Sequence, residues 1–138
     1  MPIDQQPPEV LALLMADHVH QDDSSGKFFI LGTRSWIGAA TFPCHRAILA
    51  VFAALTDGRG ETTVKVRLTD VEEAYEPVFE YETLVDFSDP TDEREAVFLL
   101  RDLVFPEPGD YRLQLWAAGQ LLRERRFLVI PLENPGPP

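Results

Sequence analysis

A strict alternation of apolar and polar residues is the feature that most limits the folds open to this chain. Between residues 61 and 70 three apolar residues alternate with polar ones, and these positions are Val64, Val66 and Leu68. Residues 75–87 alternate in the same way, and one of their two faces carries the acids Glu76, Glu80, Glu82 and Asp86. Because successive side chains of a β-strand point to opposite faces, both segments are predicted to be half-buried strands.

Further apolar segments recur at short intervals with turn signals between them, at residues 47–55, 96–104, 111–117 and 121–130. This pattern predicts an all-β fold, an immunoglobulin-like antiparallel β-sandwich of about seven to eight strands. Pro77 predicts an edge position or a bulge for its strand, because proline lacks the N–H that a central strand needs. The segment 10–20 fits either a strand or a short helix that begins after Pro8, and strand is the favoured interpretation.

The length of 138 residues suits one domain. We expect a flexible N-terminal tail at residues 1–8, a sandwich at residues 9–132 and a proline-rich tail at residues 133–138. Cys44 is the only cysteine, so it cannot form an internal disulfide. The first residues lack a basic signal-peptide region, and the longest apolar run, Val10 to Ala16, is too short to cross a bilayer. A cytoplasmic location without membrane contact is therefore expected.

The net charge of −11 is unevenly distributed. Residues 61–110 hold fifteen acidic and four basic side chains, whereas residues 111–130 hold one acidic and four basic side chains. A polyanion would be repelled by the molecule as a whole, so nucleic acid is excluded as a partner. The two oppositely charged segments could meet between two copies of the chain, or the last hairpin could lie beside the acidic strands of its own monomer.

The run from Pro108 to Leu113 resembles the start of strand F in immunoglobulin-like domains. There Gly109 would end the loop, and Tyr111 would bond to backbone upstream in a tyrosine corner. A wider set of segments is similar to a family of small uncharacterised bacterial proteins, over residues 9–132: Val10–Val19, Gly26-Lys27, Ile30–Gly32, Leu55–Gly58 and Pro108–Tyr111. The resemblance implies a single-domain sandwich without an assigned function, and it brings no catalytic residues.

Three side chains near the start of the chain have metal-ligand chemistry. His18, His20 and Asp22 follow each other at spacings of two, so on a strand they share one side, and imidazoles with a carboxylate can bind zinc. We predict no metal and no cofactor, because a further ligand and a supporting shell are missing. Cys44 could approach His18 or His20 as a catalytic pair, but a small buried thiol is the more ordinary interpretation.

Glu80 and Glu82 could form a glycosidase pair, yet a row of acids is typical of the solvated side of an antiparallel sheet. No catalytic residue is assigned. Arg123, Arg125 and Arg126 are candidates for attraction to an acidic surface. Together these observations favour a non-catalytic protein-interaction or assembly module of the bacterial cytoplasm, acting on an unknown protein or on itself. The alternative is a small metal- or ligand-binding protein, possibly catalytic, built on His18, His20, Asp22 and Cys44.

Overall fold

A computed structural model describes residues 7–133, and this part of the chain consists of strands and connecting turns. The strands are Glu9–Gln21 (β1), Phe28–Arg34 (β2), Trp36–Ala39 (β3), Cys44–Thr56 (β4), Gly60–Asp70 (β5), Phe79–Phe87 (β6), Arg94–Phe105 (β7), Gly109–Ala117 (β8) and Gln120–Pro131 (β9). The all-β prediction is confirmed, and the segment 10–20 is a strand. The described strands number nine rather than seven or eight, because the region after residue 27 divides at Ser35 into two strands. Within residues 7–133 there is no helix long and apolar enough to cross a membrane.

The strands form two sheets, which face each other across an apolar core. One sheet has the order β2-β1-β4-β7 and the other has the order β3-β9-β8-β5-β6. All pairs are antiparallel except β3 with β9, where Ile37 lies opposite Val129 in a parallel pair. The sandwich is therefore antiparallel as predicted, with this one parallel pair as an exception among the described strands. The chain leaves the first sheet after β2, and β3 then joins the other sheet beside the last strand.

The period-two pattern of the sequence places its apolar face in this core. Val64, Val66 and Leu68 of β5 are completely buried. Facing strands of the other sheet contribute Leu13, Val51 and Leu100 among others. At about 25 cal/mol for each square ångström of apolar surface removed from water, this burial is the main term that stabilises the sandwich.

The β1–β2 hairpin covers part of the outer face of the four-stranded sheet. Phe52 of β4 lies between the core residues Val51 and Ala53, so its side chain points away from the main core. The ring of Phe28 in β2 nevertheless meets the ring of Phe52 edge-on, with 5.6 Å between centroids. The far end of the hairpin must therefore fold back over this face. Gly32 of β2 has a φ of +69°, a backbone conformation that other residues rarely adopt.

The predicted tails are only partly covered by the described residues. Residues 1–6 and 134–138 lie outside the part of the chain that the structure describes. Pro8, which was assigned to the flexible N-terminal tail, is buried, whereas Glu133 is exposed. The domain boundaries therefore stay a prediction.

A tyrosine corner holds the loop between β7 and β8. The Tyr111 hydroxyl donates to the backbone oxygen of Glu107 at 2.7 Å, which is the kind of contact expected from the sequence. The Tyr111 ring is 1% exposed and meets the ring of Phe105 edge-on at 5.2 Å. Burial raises the pKa of the hydroxyl above its ordinary value. Gly109 has a φ of +149°, a conformation that side-chain-bearing residues rarely adopt, so glycine is required there by the backbone.

Candidate functional site

The two sheets end on the same side of the sandwich, and this side is the candidate site. β6 is the last strand of the five-stranded sheet, and β7 is the last strand of the four-stranded sheet. Pro77 was expected to mark an edge position or a bulge within a strand; β6 is an edge strand, but it begins at Phe79, so Pro77 lies in the connection before it. The inner faces of the two edge strands meet at Tyr81 and Phe98, whose rings are 6.2 Å apart and nearly perpendicular.

A groove of about 430 Å³ runs between these two edges. It is lined on the β6 side by Tyr81, Thr83, Leu84, Val85 and Asp86, and on the β7 side by Arg94, Glu95, Ala96, Val97 and Phe98. Two of the apolar side chains are far from buried, since Tyr81 is 54% exposed and Leu84 is 64% exposed. Exposed apolar groups beside an unpaired strand edge favour association with another chain.

The direction of the free backbone groups on β6 follows from one side-chain contact. Arg94 Nε donates to the backbone oxygen of Asp86 at 2.8 Å, so this carbonyl points away from β5 and toward β7. In an antiparallel pair, both backbone groups of a residue point to the same side, and the side alternates from one residue to the next. Glu82 and Leu84 therefore direct their N–H and C=O groups to the open edge. Thr83 and Val85 direct their backbone groups to β5 instead, where they pair with Val64 and Thr62.

The outward face of β6 carries the acidic row predicted from the sequence. Glu80 is held by Arg67, with 3.4 Å between its Oε2 and the arginine Nε. Glu82 lies opposite Lys65 in the register, but the Lys65 Nζ sits over the ring of Trp116, 5.0 Å from its centroid. Among the described residues, neither Glu82 nor Asp86 takes part in an ion pair. Two carboxylates that take part in no ion pair within the described chain thus flank Leu84 on the edge strand, although Asp86 accepts a bond from Ser88 Oγ at 3.3 Å and the Arg94 guanidinium lies at its backbone oxygen.

The opposite side of the sandwich offers a much shorter edge. β3 is only four residues long, and the side chain of Leu132 packs against the backbone of Gly38 at its centre. β2, the edge of the other sheet there, belongs to the hairpin that folds over the outer face. The open side at β6 and β7 is therefore the longer and less protected of the two.

The three predicted metal-ligand candidates lie on or beside the β1–β2 hairpin. His18 and His20 do share one face of β1, and their rings stack with centroids 6.5 Å apart. The carboxylate of Asp22 faces its own turn instead, where Oδ2 accepts bonds from Ser24 Oγ at 2.9 Å and from both Ser25 N and Ser25 Oγ at 2.7 Å. The bonds from Ser25 and Ser24 lower the pKa of Asp22 to about 2.

The described residues contain no group of three or more histidine, cysteine, aspartate or glutamate side chains that could hold a metal ion. His18 and His20 alone would supply two nitrogen ligands and leave the other positions of a tetrahedral zinc ion to water. Cys44 is buried at the start of β4, opposite Phe105 of β7. Its thiol therefore fits the ordinary interpretation of a small buried core residue.

The three arginines of β9 do not form one basic surface, which corrects the interpretation of this segment as an interaction patch. Arg123 Nη2 donates to the backbone oxygen of Val10 at 3.1 Å, and Arg125 Nη1 donates to that of Leu13 at 2.8 Å. Both acceptors lie on β1, in the other sheet, so these two arginines join the sheets. Arg126 points to the outer face, where its Nε lies 3.2 Å from Asp110 Oδ2.

These features define a β-sandwich domain with one open lateral edge. The chain belongs to a family of unknown function (DUF6941), which it matches over residues 11–130. The predicted resemblance to an uncharacterised family is thereby confirmed. None of the curated proteins matches the chain.

Among solved structures, the chain is similar to two crystal structures of beta-glucosidase from Listeria innocua. For the complex with isofagomine the TM-score is 0.47 at 13% sequence identity, covering 92% of this chain and 17% of that chain. For the complex with glucose the TM-score is again 0.47 at 13% identity, with the same coverage. The chain therefore spans about a sixth of the length of these structures.

Proposed function

We propose that this domain is a non-catalytic protein-interaction or assembly module of the bacterial cytoplasm, and that it binds a protein partner along the β6–β7 side. The observation that carries the proposal is the open edge of β6, where Glu82 and Leu84 direct unpaired backbone groups into solvent beside an apolar groove. A strand that adds to such an edge gains main-chain hydrogen bonds, while pockets for alternate side chains provide specificity.

The strand order supports an immunoglobulin-like assignment of the sandwich. In immunoglobulin domains the sheets contain strands A, B and E on one side and C, F and G on the other. The orders β1-β4-β7 and β9-β8-β5 correspond to A-B-E and G-F-C, and β6 occupies the place of the additional strand beside C. In this assignment the open edge belongs to a position where variable-type domains extend their sheet.

The separation of the candidate chemical groups supports a non-catalytic role. The Asp22 carboxylate is engaged in its turn, the histidines lie on the hairpin, and Cys44 is buried at the start of β4. A Cys–His pair requires hydrogen-bond reach between the two side chains. A buried, unpaired thiol in a chain without a second cysteine also supports a reducing compartment such as the cytoplasm.

Site-specific photo-crosslinking tests the proposed surface. The photoreactive residue p-benzoylphenylalanine would replace Leu84 on β6 and, in a control variant, Leu31 on the far hairpin, which is also exposed, at 54%. In cells of the native host we expect one protein to be attached at position 84 and not at position 31. The protein identified in the adduct, once purified and added to the unaltered domain, should also slow hydrogen exchange at the amides of Glu82 and Leu84, because these amides point to the open edge. Identical adducts at both positions, or none at position 84, would refute the proposal.

A further inference from the structure

We propose that the segment received by β6 is an extended strand whose basic side chains lie opposite Glu82 and Asp86 and whose intervening side chains are apolar. This inference rests on the proposed function and adds the chemistry of the partner. It follows from the regularity of β6, from the different character of its two faces, and from the two carboxylates on its outer face that take part in no ion pair with another described residue.

β6 is the better of the two edges for strand addition. All nine of its residues pair with β5 in one continuous register, from Phe79 opposite Leu68 to Phe87 opposite Gly60. β7 is interrupted by Asp102, which has a φ of +54°. A non-glycine residue with that conformation disturbs the regular spacing of backbone groups. An incoming strand therefore finds regularly spaced free donors and acceptors at Glu82 and Leu84 of β6, whereas the outward carbonyl of Asp86 already accepts a bond from Arg94.

The two faces of β6 determine which side chains an incoming strand requires. Tyr81, Thr83 and Val85 point to the inner face and line the groove. Side chains that lie opposite these residues would enter the groove, where an apolar group removes its own surface and that of Tyr81 from water. On the outer face, the residue of the added strand that lies opposite Leu84 should also be apolar.

The carboxylates of Glu82 and Asp86 favour the opposite charge on an added strand. They lie two positions to either side of Leu84, so residues directly opposite them in an added strand are separated by three others. A lysine or arginine at both positions places a cation within cross-strand reach of each acid, where Cβ atoms are about 5 Å apart. The resulting pattern for the partner is basic, apolar, apolar, apolar, basic.

A second copy of this chain fits the same edge poorly. In an antiparallel two-fold pairing centred on Leu84, Glu82 would lie opposite Asp86 of the other copy. In a pairing centred on Thr83, Glu80 would lie opposite Asp86. Like charges directly opposite each other destabilise a strand pair, so both registers are disfavoured. The charge pattern therefore points to a different, basic protein segment.

A peptide with the pattern Lys-Val-Leu-Val-Lys, flanked by threonines and labelled with a fluorophore, is the direct probe. We expect anisotropy to show binding to the full chain, and a peptide with both lysines replaced by glutamates should not bind. The double variant Glu82→Gln/Asp86→Asn should weaken binding by about tenfold, because it removes two cross-strand charge pairs. The control Glu72→Gln/Glu76→Gln removes the same net charge from the exposed β5–β6 connection and should leave the affinity unchanged.

Methylated peptides separate strand addition from simple charge attraction, and they use the unaltered protein. In an antiparallel pair, the backbone N–H of the central leucine of the probe points to β6, whereas the N–H groups of the two valines point to solvent. N-methylation of the leucine should abolish binding, and N-methylation of a valine should be tolerated. Equal affinity of the two methylated peptides would overturn the inference.

The two proposals fail in different ways. If position 84 crosslinks specifically but the basic peptide binds no better than the acidic one, or if both double variants lose affinity equally, the chemistry of the partner is wrong and the interaction edge stands. If position 84 gives no specific adduct, the proposed function is wrong regardless of the peptide results. Circular dichroism of each variant confirms that an altered affinity does not reflect unfolding.

Discussion

Removing the single hydroxyl group of Tyr111 tests the contribution of the tyrosine corner to the stability of the fold. In the variant Tyr111→Phe only the hydroxyl is lost, together with its 2.7 Å bond to the Glu107 carbonyl. We expect the free energy of unfolding to fall by about 1 kcal/mol, the usual net value of one hydrogen bond. In Tyr111→Ala the ring that packs on Phe105 is lost as well, so the fall should reach about 3–5 kcal/mol.

Urea denaturation followed by circular dichroism measures both changes, and thermal melts should shift by roughly 3–5 °C for each kcal/mol. Tyr81→Phe is the matched control, because Tyr81 is 54% exposed and its hydroxyl makes no hydrogen bond to other residues of the described chain. It should change stability by less than about 0.5 kcal/mol. A Tyr111→Ala variant as stable as the wild type would refute the reasoning.

The pH dependence gives an independent check on the same hydroxyl. Burial raises the pKa of Tyr111 in the folded state, so the unfolded chain releases this proton first as the pH rises. The contribution is complete below the ordinary tyrosine pKa of 10.0 and is lost as the pH rises through the folded-state value. The stability difference between wild type and Tyr111→Phe should therefore shrink above about pH 10. A difference that stays constant there would show that the hydroxyl titrates alike in both states.

Further predictions concern the arginines, the turn carboxylate and the histidines. Arg125→Met should destabilise the domain by about 1–3 kcal/mol, because its charged side chain bonds to a β1 carbonyl, whereas Arg126→Met on the outer face should have an effect below about 0.5 kcal/mol in the same urea assay. Equal effects would contradict this division of roles. An NMR titration should give the Asp22 carboxyl a pKa of about 2, and Ser25→Ala should raise that pKa toward the ordinary value of 3.8. Because the pKa is lowered in the folded state, the ionised carboxylate stabilises the fold above the unfolded-state pKa. This stabilisation is lost as the pH falls toward 2. Purified protein should retain no stoichiometric zinc after dialysis, and metal that remains bound would revive a role for the two histidines.

For the arginines of β9, the sequence alone could have predicted which face of the strand each side chain occupies, but not what it bonds to. On a strand, residues 123 and 125 share one face and residue 126 takes the other, so the period of two already separates Arg126 from its neighbours. Treating them as one patch overlooked that rule. The acceptors on β1 could not have been found in this way, because Val10 and Leu13 are more than a hundred positions earlier in the chain. Which polar side chains reach another sheet is decided by packing.

The candidate site was visible in the sequence only in part. Pro77 predicted an edge position or a bulge, and β6, which begins two residues after it, is an edge strand. The alternation of residues 75–87 separated the acids from the apolar groups that line the groove. The neighbour across the groove is β7, and nothing local to β6 indicates that the other sheet ends on the same side. Strand order depends on contacts between segments far apart in sequence, whose formation is governed by the packing of the whole sandwich.

What the sequence by itself determined is the all-β character and the position of most strands, since an apolar–polar alternation with a period of two is typical of half-buried strands. It also identified the buried face of β5 and the corner at Tyr111, because both depend on residues close to one another along the chain. The tertiary structure alone decided the parallel β3–β9 pair, the hairpin over Phe52 and the open side between β6 and β7. Each of these requires distant strands to meet, and the free energy that selects one arrangement comes from apolar surface buried between them, which no local pattern encodes.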